Sequence, residues 1–487
     1  MRDGVVLRAD VYRPRGGGPW PTLLTRLPYD KSHPMVSEWL DPVQTAAEGF
    51  LVVVQDTRGR FASAGEWVPY RAERDDGRDA VEWAARLPGS NGRVGMFGLS
   101  YFGFTQWAAA MARPAALGAI APAKTWAEPT DGLLSRGGAL ELGFALSWLL
   151  ELAADSVARS AVSEDERSEL LAAISRDYEG LLSGGFWELP VERNPLLLRP
   201  YGAEPGGLKP ARHPDRVGWS RIAGAHAEVC VPTLNLAGWY DAFLQGSLDN
   251  HMAMAKLGRP SRLVVGPWTH TANRDPIGEL RFGLAAARVG YPAHASGDVN
   301  DVQRAWLRRH LEPGGSREGA DEAPVRIFVM GVNRWRDEQS WPLARARPQR
   351  WFLGPAGTLG RDRPEGSVEP IEFLYDPGDP TPTIGGASEM VDLVPSGPFD
   401  QSPIEARADV RVFTSAPLDR DLEVTGRVRL VLCASSSAPS TDWVGRLCDV
   451  HPDGRSIVIC DGILRLFQDA DRQSSHEADL WATSNVF

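Results

Sequence analysis

The stretch that decides the fold is Val94-Gly95-Met96-Phe97-Gly98-Leu99-Ser100-Tyr101-Phe102-Gly103, a short apolar run that ends in Gly-x-Ser-Tyr-x-Gly. A segment compatible with a helix follows at once, from Phe104 to Arg113. This order predicts a nucleophile elbow, a sharp strand-to-helix turn that exposes a serine hydroxyl at the top of a sheet. We expect Gly98 to provide room where strand and helix crowd together, because a Cβ there would clash. The motif is short, so its meaning depends on finding an acid and a histidine elsewhere in the chain.

The composition is that of an ordinary globular protein, with 43% hydrophobic and 24% charged residues among 487. At roughly 100–200 residues per domain, this length predicts two to four domains. The net charge of −11 disfavours nucleic acid and anionic membrane surfaces as partners. The cysteines lack Cys-x-x-Cys spacing and lie in or beside apolar runs, which predicts buried free thiols rather than disulfides or metal ligands. These cysteines are Cys230, Cys433, Cys448 and Cys460.

The distribution of apolar residues gives no sign of targeting or membrane insertion. Residues Met1 to Val5 show no charged-then-apolar signal pattern. The most apolar long stretch, Leu142 to Ala154, is too short to span a bilayer and is interrupted by Ser147 and Glu151. These features predict a cytoplasmic protein without membrane contact. The possibility of an export signal upstream of Met1 stays open.

Three kinds of patterning divide the chain. Apolar runs alternate with helical segments over residues 1–125 and 226–312, which predicts βαβ units and a mostly parallel sheet. Residues 126–225 lose this alternation and contain two helical segments, so we expect a helical cap inserted over the sheet. After a Pro- and Gly-rich linker, residues 324–487 show strand signals that predict a β-sandwich or jelly roll. The predicted fold class is therefore α/β, with a cap insertion and a C-terminal all-β sandwich. The predicted sandwich strands are Val325–Met330, Gln349–Leu353, Val410–Thr414, Leu422–Ala434 and Ser456–Cys460.

Two segments after Ser100 place reactive side chains just past apolar strands. Thr233 to Ala237 leads to Asp241, and Leu263 to Val265 leads to His270. In an open parallel sheet, reactive groups gather at the carboxyl ends of the strands, so we expect these side chains to meet Ser100. A serine hydroxyl needs a histidine to take its proton and an acid to orient that histidine. The order Ser, Asp, His fits this fold, and the sequence predicts a triad of Ser100, Asp241 and His270.

Each of these residues has a structural alternative when it is taken alone. A single aspartate after a strand is usually a turn or capping residue. A single histidine usually lies at the surface or forms hydrogen bonds with a purely structural role. Asp56 also ends an apolar strand, but Arg58 and Arg60 close by favour a structural ion pair. Only the joint placement of three residues at three strand ends favours a triad.

Acyl transfer also needs donors for the negative oxygen that develops during attack. The backbone N–H of Tyr101, directly after the serine, is one predicted donor. The loop after the strand Pro21 to Leu27 has no His-Gly-Gly-Gly run, and the hydroxyl of Tyr29 is the candidate for the second donor. On position alone, a structural role for Tyr29 is an equal alternative.

Further segments form an ordered set along the chain, and together they resemble a known family. The segments are Arg2-Asp3-Gly4-Val5, Ala9 to Pro14, Pro28-Tyr29-Asp30-Lys31, Gln55 to Arg60, Gly98 to Gly103, Gly238 to Asp241, Gly266 to His270, Thr441-Asp442-Trp443, Asp449 to Arg455 and Asp461 to Arg465. This set, which covers essentially the whole chain, resembles the cocaine-esterase-like and X-prolyl-dipeptidyl-peptidase-like serine hydrolases. The resemblance implies an α/β-hydrolase domain, a helical cap and a C-terminal jelly roll.

The resemblance also implies the roles of individual residues. It assigns Ser100 as nucleophile, His270 as general base and Asp241 as the acid that orients it, with no metal or cofactor. It implies an oxyanion hole that combines the Tyr29 hydroxyl with the Tyr101 N–H. The implied chemistry is hydrolysis of a small-molecule ester, or less readily of an amide or peptide, through an acyl-enzyme.

Three aromatic residues bear on the substrate pocket. Trp126 and Phe243 match positions that line the acyl pocket of the family, with core packing as the alternative for both. At Phe102, the related α-amino-acid ester hydrolases carry a glutamate that belongs to a cluster binding the substrate amine. Phe102 therefore argues against that activity and in favour of ester cleavage.

The two ends of the chain also depart from the family pattern. The proline-specific peptidases usually carry a longer N-terminal region, whereas this chain begins almost at the first strand, which argues against a true X-prolyl peptidase. X-prolyl dipeptidyl-peptidase activity is nevertheless the alternative to an esterase, as is a non-catalytic binding protein on the same fold. Relatives continue past Phe487 with further strands, and we expect a truncated or incomplete sandwich, whose open edge would be prone to association. Long apolar sandwich strands are compatible with a homodimer.

Overall fold

The computed structural model describes residues 1–198, 218–288, 299–312, 314, 322–366, 369–390, 393–467, 476–481 and 485–486. Its strands are β1 (Ala9–Tyr12), β2 (Trp20–Leu27), β3 (Leu51–Asp56), β4 (Ser90–Leu99), β5 (Leu117–Ala123), β6 (Ser135–Arg136), β7 (Ala139–Leu140), β8 (Thr233–Tyr240), β9 (Ser261–Thr269), β10 (Val325–Val329), β11 (Arg334–Glu338), β12 (Phe352–Gly354), β13 (Thr358–Gly360), β14 (Thr425–Gly426), β15 (Arg429–Ala434), β16 (Ser440–Val450), β17 (Ser456–Phe467), β18 (His476–Trp481) and β19 (Asn485–Val486). Its helices are α1 (Met35–Leu40), α2 (Pro42–Ala47), α3 (Glu73–Ala84), α4 (Ser100–Met111), α5 (Leu142–Ala158), α6 (Glu164–Glu179), α7 (Pro195–Leu198), α8 (Leu244–Lys256), α9 (Val299–Leu311) and α10 (Ser402–Glu405).

A mixed sheet forms the centre of the protein. Within the described residues it has nine strands in the order β1-β3-β2-β4-β5-β8-β9-β10-β11. The strands from β3 to β10 pair in parallel, whereas β1 and β11 run antiparallel to their neighbours. The predicted parallel sheet is therefore present, and it carries an antiparallel strand at each edge.

Both faces of this sheet are covered, which explains why its strands are continuous apolar runs. On β2, the fully buried Leu23 and Leu27 join the hydrophobic core on one face, and Leu24 joins the core on the other. On β3, Val52 and Val53 divide between the same two cores. Alternate side chains of a strand point to opposite faces, so one apolar run supplies both layers.

The predicted sandwich boundary at residue 324 is wrong for β10 and β11. The strand expected over Val325–Met330 in the sandwich is β10, which pairs in parallel with β9 and places Val325 opposite Leu263. β11 then returns antiparallel, with Trp335 opposite Phe328. Residues 325 and 327–330 are buried in the core of the central sheet. A short apolar run does not reveal which sheet it joins, and the linker before it suggested a new domain.

Beyond Glu338 the described residues form a C-terminal β region. Its longest unit is the antiparallel pair β16–β17, which contains a register shift between Leu447 and Cys448. β15 pairs with β18, and β14 pairs with β19. The predicted strand over Val410–Thr414 is wrong, because only Thr414 forms a bridge, with Thr358. An all-β C-terminal region is confirmed, and its jelly-roll topology stays a prediction.

Helices α5 and α6 occupy the region predicted as a cap. The apolar stretch Leu142 to Ala154 lies within α5, which buries Leu146, Leu149 and Leu152 in a core shared with the sheet. Ser163 caps α6 by accepting a hydrogen bond from the Glu166 N–H at 3.3 Å. Residues 199–217 of the predicted cap lie outside the described residues. Across the described part of the chain, no helix is both long enough and apolar enough to traverse a bilayer.

The four cysteines are free thiols, as predicted, but their predicted burial is only partly right. Cys460 is buried on β17, whereas Cys448 is half-buried. Cys433 is exposed because the short strand β15 turns that side chain to solvent, and Cys230 is exposed in the loop before β8. An apolar neighbourhood in sequence therefore does not decide which face of a strand carries the thiol.

Candidate active site

The predicted elbow lies at the junction of β4 and α4. Ser100 is the first residue of α4 and has a φ of 55°, which is uncommon for a residue with a side chain. Gly98 has a φ of 132°, and a Cβ added there would come within 2.2 Å of the Phe102 ring. The Ser100 carbonyl accepts a hydrogen bond from the Thr125 hydroxyl at 2.9 Å. Such strained backbone is typical of functional sites, where the surrounding structure holds it in place.

The sheet order brings the predicted site residues to one edge. Ser100, Asp241 and His270 follow β4, β8 and β9 directly, and Tyr29 lies two residues past β2. The order β2-β4-β5-β8-β9 makes these strands neighbours, with only β5 between β4 and β8. Because the strands are parallel, their carboxyl ends meet at the same edge, as the sequence analysis expects.

Asp241 and His270 form a hydrogen-bonded pair. The Nδ1 of His270 lies 3.1 Å from the Oδ2 of Asp241, which is fully buried. The Oδ1 of the same carboxylate accepts a hydrogen bond from the Phe243 N–H at 2.7 Å. With Nδ1–H donated to the carboxylate, the ring presents its Nε2 as the proton acceptor.

Lys124 supports the histidine loop, and sequence reasoning did not identify it. Its buried Nζ donates to the Thr269 carbonyl at 2.6 Å, the His270 carbonyl at 3.0 Å and Asn273 Oδ1 at 2.7 Å. Burial lowers the pKa of its ammonium to about 7. The lysine directly follows β5, at the same sheet edge as the triad residues, and that position is the signal that could have revealed it.

The two predicted oxyanion donors are held in place by different contacts. The Tyr29 hydroxyl accepts a hydrogen bond from Trp148 Nε1 of α5 at 3.0 Å, which leaves its own proton free to be donated. Burial raises the pKa of Tyr29, so the hydroxyl stays protonated. The Tyr101 N–H lies in the first turn of α4, where backbone donors have no partner within the helix. The Tyr101 hydroxyl is held in the core by Glu73 and by the Tyr70 N–H.

The three predicted pocket residues occupy different depths. Phe243 lines a cleft together with Phe144 and Glu389, and it lies edge-on to His270, with 5.2 Å between ring centroids. Trp126 is buried behind Phe243 at 5.6 Å and stacks on Phe104. Phe102 packs beneath the elbow and contacts Tyr29 edge-on at 6.3 Å. Among the three, only Phe243 contributes to the lining of this cleft.

Glu389 is a further acidic group at the site, and nothing in the sequence pattern points to it. It comes from the C-terminal region and places Oε1 3.5 Å from His270 Nε2. Burial raises the pKa of Glu389, and the positive charge of a protonated His270 opposes that rise. Burial by itself lowers the pKa of His270, but the charges of Glu389 and Asp241 outweigh it, so the pKa is raised overall.

Asp56 has a structural role that differs from the predicted ion pair. Its two carboxylate oxygens accept hydrogen bonds from the backbone N–H groups of Lys31 at 2.7 Å and Ala62 at 3.1 Å. The carboxylate therefore fixes two loops instead of pairing with the neighbouring arginines. These arginines bind other carboxylates, Arg58 with Asp76 and Arg60 with Asp155.

A serine on an elbow and a buried Asp–His pair at the same edge of a parallel sheet define the class of α/β-hydrolase-fold serine hydrolases. Residues 3–272 match the X-Pro dipeptidyl-peptidase (S15) family, and residues 318–487 match the X-Pro dipeptidyl-peptidase C-terminal non-catalytic domain. The chain belongs to this S15 family and is a serine hydrolase.

Several relatives are similar over nearly all of the chain. A cocaine esterase of Rhodococcus sp. (strain MB1 Bresler) is 37% identical over 522 residues, which cover 100% of this chain and 87% of the relative. A relative from Mycobacterium bovis, whose name describes a serine esterase, is 26% identical over 96% of this chain and 79% of its own length. Among solved structures, an aminopeptidase from a Thaumarchaeota archaeon has a TM-score of 0.76 at 22% identity, and an α-amino acid ester hydrolase has 0.72 at 21%. Both cover 100% of this chain and 85% of the solved chain, and they support the fold.

Proposed function

We propose that this protein hydrolyses carboxylic esters through an acyl-enzyme formed on Ser100. The observation that carries the proposal is the buried Asp241–His270 pair, with 3.1 Å between the bonded atoms, at the sheet edge where the elbow presents Ser100. The similarity to a cocaine esterase over the whole chain supports an ester as substrate.

The proposed reaction has two halves that use the same histidine. His270 Nε2 takes the proton of Ser100 Oγ as the oxygen attacks the ester carbonyl, and Asp241 stabilises the imidazolium that forms. When the tetrahedral intermediate collapses, the bond to the leaving oxygen breaks and His270 gives it the proton. His270 then accepts a proton from water as the water oxygen attacks the acyl-enzyme. When the second intermediate collapses, the bond from the acyl carbon to Ser100 Oγ breaks and His270 returns the proton to Oγ, which releases the acid and free Ser100.

The negative oxygen of both intermediates would be bound by the Tyr29 hydroxyl and the Tyr101 N–H. The hydrogen bond from Trp148 orients the Tyr29 hydroxyl and polarises it, which makes it a stronger donor. The Tyr101 N–H adds the favourable field of a helix N-terminus. Phe243, beside His270 in the cleft, would contact the substrate.

A fluorophosphonate probe, which reacts with activated serines, tests the proposal. We expect the probe to label the intact protein at Ser100 and Ser100→Ala to abolish labelling, because Ser100 lies on the elbow at the sheet edge that carries the Asp241–His270 pair. Ser37→Ala, which removes an exposed hydroxyl on α1, is the matched control and should label normally. Labelling that survives Ser100→Ala, or no labelling of the intact protein, would refute the proposal.

The pH dependence of hydrolysis is a second expected result. Only neutral His270 accepts the serine proton, so kcat/KM for an uncharged ester should fall as pH is lowered through the pKa of this histidine. Glu389 and Asp241 raise that pKa while Lys124 opposes them, so the midpoint should lie above the ordinary value of about 6.5. Glu389→Gln removes one anion and should move the midpoint to lower pH. Full activity of the intact protein well below pH 6 would contradict His270 as the base.

A further inference from the structure

The buried side chain of Arg60 lies where the cap meets the loop that carries Tyr29. Arg60 follows β3 in the chain, and its side chain is only 1% exposed. Its Nε donates to the Pro28 carbonyl at 2.9 Å, and its Nη1 donates to the Leu152 carbonyl of α5, also at 2.9 Å. One guanidinium therefore joins the residue directly before Tyr29 to a helix of the cap.

The two elements that Arg60 joins also meet in one hydrogen bond of the site. Trp148, about one helical turn before Leu152 on α5, donates from Nε1 to the Tyr29 hydroxyl at 3.0 Å. The donors of a guanidinium lie in one plane at fixed angles, so Arg60 sets the distance between the Pro28 carbonyl and α5. The hydrogen bond between Trp148 and Tyr29 depends on that distance.

Further contacts hold the guanidinium of Arg60 in one orientation. Its Nη1 also donates to the Ser156 hydroxyl at 3.3 Å, and its Nε lies 3.4 Å from Asp155 Oδ2. The Trp67 ring packs against the guanidinium, with 4.5 Å between the ring centroid and Cζ. Asp155 Oδ2 accepts a hydrogen bond from the Phe61 N–H at 3.3 Å, which fixes the backbone next to Arg60. A side chain with this many partners has little freedom to reorient, so it can fix the position of the groups it binds.

The positive charge of Arg60 has a second effect on the site. Burial raises the pKa of Tyr29, and the charge of Arg60 acts in the opposite direction. The guanidinium is thus close enough to favour negative charge at the Tyr29 hydroxyl. Because little water screens a buried charge, the same field would favour the negative oxygen that this hydroxyl binds during attack.

The contacts of Arg60 are better suited to fixing geometry than to stabilising the fold. Burial lowers the pKa of Arg60 by more than the charge of Asp155 raises it, so the ion pair compensates only partly for the lost water. Its closest acceptors are the neutral carbonyls of Pro28 and Leu152. A buried ion pair often adds little net stability compared with apolar residues of similar volume. The benefit of this arginine therefore lies in where it holds its partners.

We propose that Arg60 is a positioning residue for the oxyanion hole, which holds the loop that carries Tyr29 against the helix that carries Trp148. This inference rests on the proposed function, because the hole is used only when Ser100 attacks a carbonyl group. Arg60 binds Pro28 and acts on the reaction through the Tyr29 hydroxyl. Its loss should weaken binding of the transition state and leave binding of the substrate nearly unchanged.

A double-mutant cycle with Arg60→Met tests this role, since methionine keeps an apolar stem but has neither the donors nor the charge. We expect Arg60→Met to lower kcat for butyrate esters by about tenfold, a smaller loss than removal of the donor itself. KM should change by less than about twofold. In the Tyr29→Phe protein, the same substitution should lower kcat by less than about twofold more, because the hydroxyl that Arg60 positions is absent. A further tenfold loss in that background would overturn the inference, since Arg60 would then act independently of Tyr29.

Arg159→Met is the matched control. Arg159, at the C-terminal end of α5, also joins this helix to the loop after β3, because it donates to the Ser63 carbonyl at 2.6 Å. Its removal leaves the hydrogen bonds of Pro28 and Trp148 in place, so kcat should stay within about twofold of the intact protein. A loss as large as that of Arg60→Met would mean that any loosening of the cap slows the reaction, and the specific role of Arg60 would be wrong.

Arg60→Lys provides a second variant, which decides the question where Arg60→Met does not fold. Lysine keeps the positive charge but cannot present N–H groups to two carbonyls in a fixed plane. We expect kcat to fall by about threefold, between the values for the intact protein and Arg60→Met, and the loss to disappear in the Tyr29→Phe protein. Thermal unfolding shows which variants keep the fold. A kcat for folded Arg60→Lys equal to that of the intact protein would contradict a role for the guanidinium geometry.

Labelling by the fluorophosphonate probe separates failure of this inference from failure of the proposed function. If the intact protein is not labelled at Ser100, the esterase proposal fails. If the intact protein is labelled and folded Arg60→Met retains its full kcat, only the role of Arg60 is refuted.

Discussion

Replacing His270 with alanine is expected to lower kcat for butyrate esters by a factor on the order of 10⁴ to 10⁶, because a triad loses its activity as a unit. Ser100→Ala should cause a loss of similar size, and the double variant should be no worse than either single one. The reason is that Ser100 without its base is a weak nucleophile, and His270 without the serine has no proton to take. Steady-state hydrolysis measured on all three proteins gives these values.

His451→Ala is the control, because it removes a half-buried histidine that pairs with Asp449 in the C-terminal β region. Its kcat should stay within about twofold of the intact protein, as expected for a site away from the chemistry. Thermal unfolding of each variant checks that the fold is retained. Single losses that multiply in the double variant would contradict a triad acting as one unit.

The positions of Ser100, Asp241 and His270 could be predicted because each follows an apolar strand of a parallel sheet. In that architecture the order of residues along the chain and the common edge of the sheet are linked by simple geometry. The period and length of the apolar runs indicated the strands, and the resemblance supplied Tyr29. The common edge does not depend on which strands are neighbours, because each parallel strand brings its carboxyl end to the same side of the sheet.

Glu389, Lys124 and Trp148 could not be found in the same way. Lys124 has the right position after β5, but a lysine is usually a surface residue and only its burial reveals the role. Trp148 lies on α5, whose face toward Tyr29 depends on how the helix packs over the sheet. Glu389 comes from a segment without a motif, and its approach to His270 depends on how the C-terminal region sits against the hydrolase sheet.

The assignment of β10 to the sandwich was wrong for the same reason, because its position depends on packing between distant segments. The apolar run of β10 is long enough for a strand. A linker separates β10 from β9 in the sequence, but the two strands pair in the folded protein. Local pattern gives the type of an element and says little about its neighbours when the connection is long. β10 and Glu389 are two of the places where the C-terminal part of the chain contacts the hydrolase domain, and local sequence pattern could place neither of them.

Tyr29→Phe is expected to lower kcat by about 10² to 10³, the cost of removing one oxyanion donor. The hydroxyl would bind the oxygen most strongly when it carries negative charge, so KM should change little. Phenylalanine keeps the ring that contacts Phe102, and the fold should be preserved. Tyr375→Phe, which removes an exposed hydroxyl, is the matched control and should leave kcat unchanged.

Trp148→Phe probes the same donor indirectly. It removes the N–H that donates to the Tyr29 hydroxyl at 3.0 Å and should lower kcat by about tenfold, through poorer orientation and polarisation of that hydroxyl. Because Trp148 acts through Tyr29, the double variant should be no slower than Tyr29→Phe alone. Additive losses would mean that Trp148 contacts the substrate by itself. A kcat for Tyr29→Phe within twofold of the intact protein would exclude the hydroxyl as an oxyanion donor.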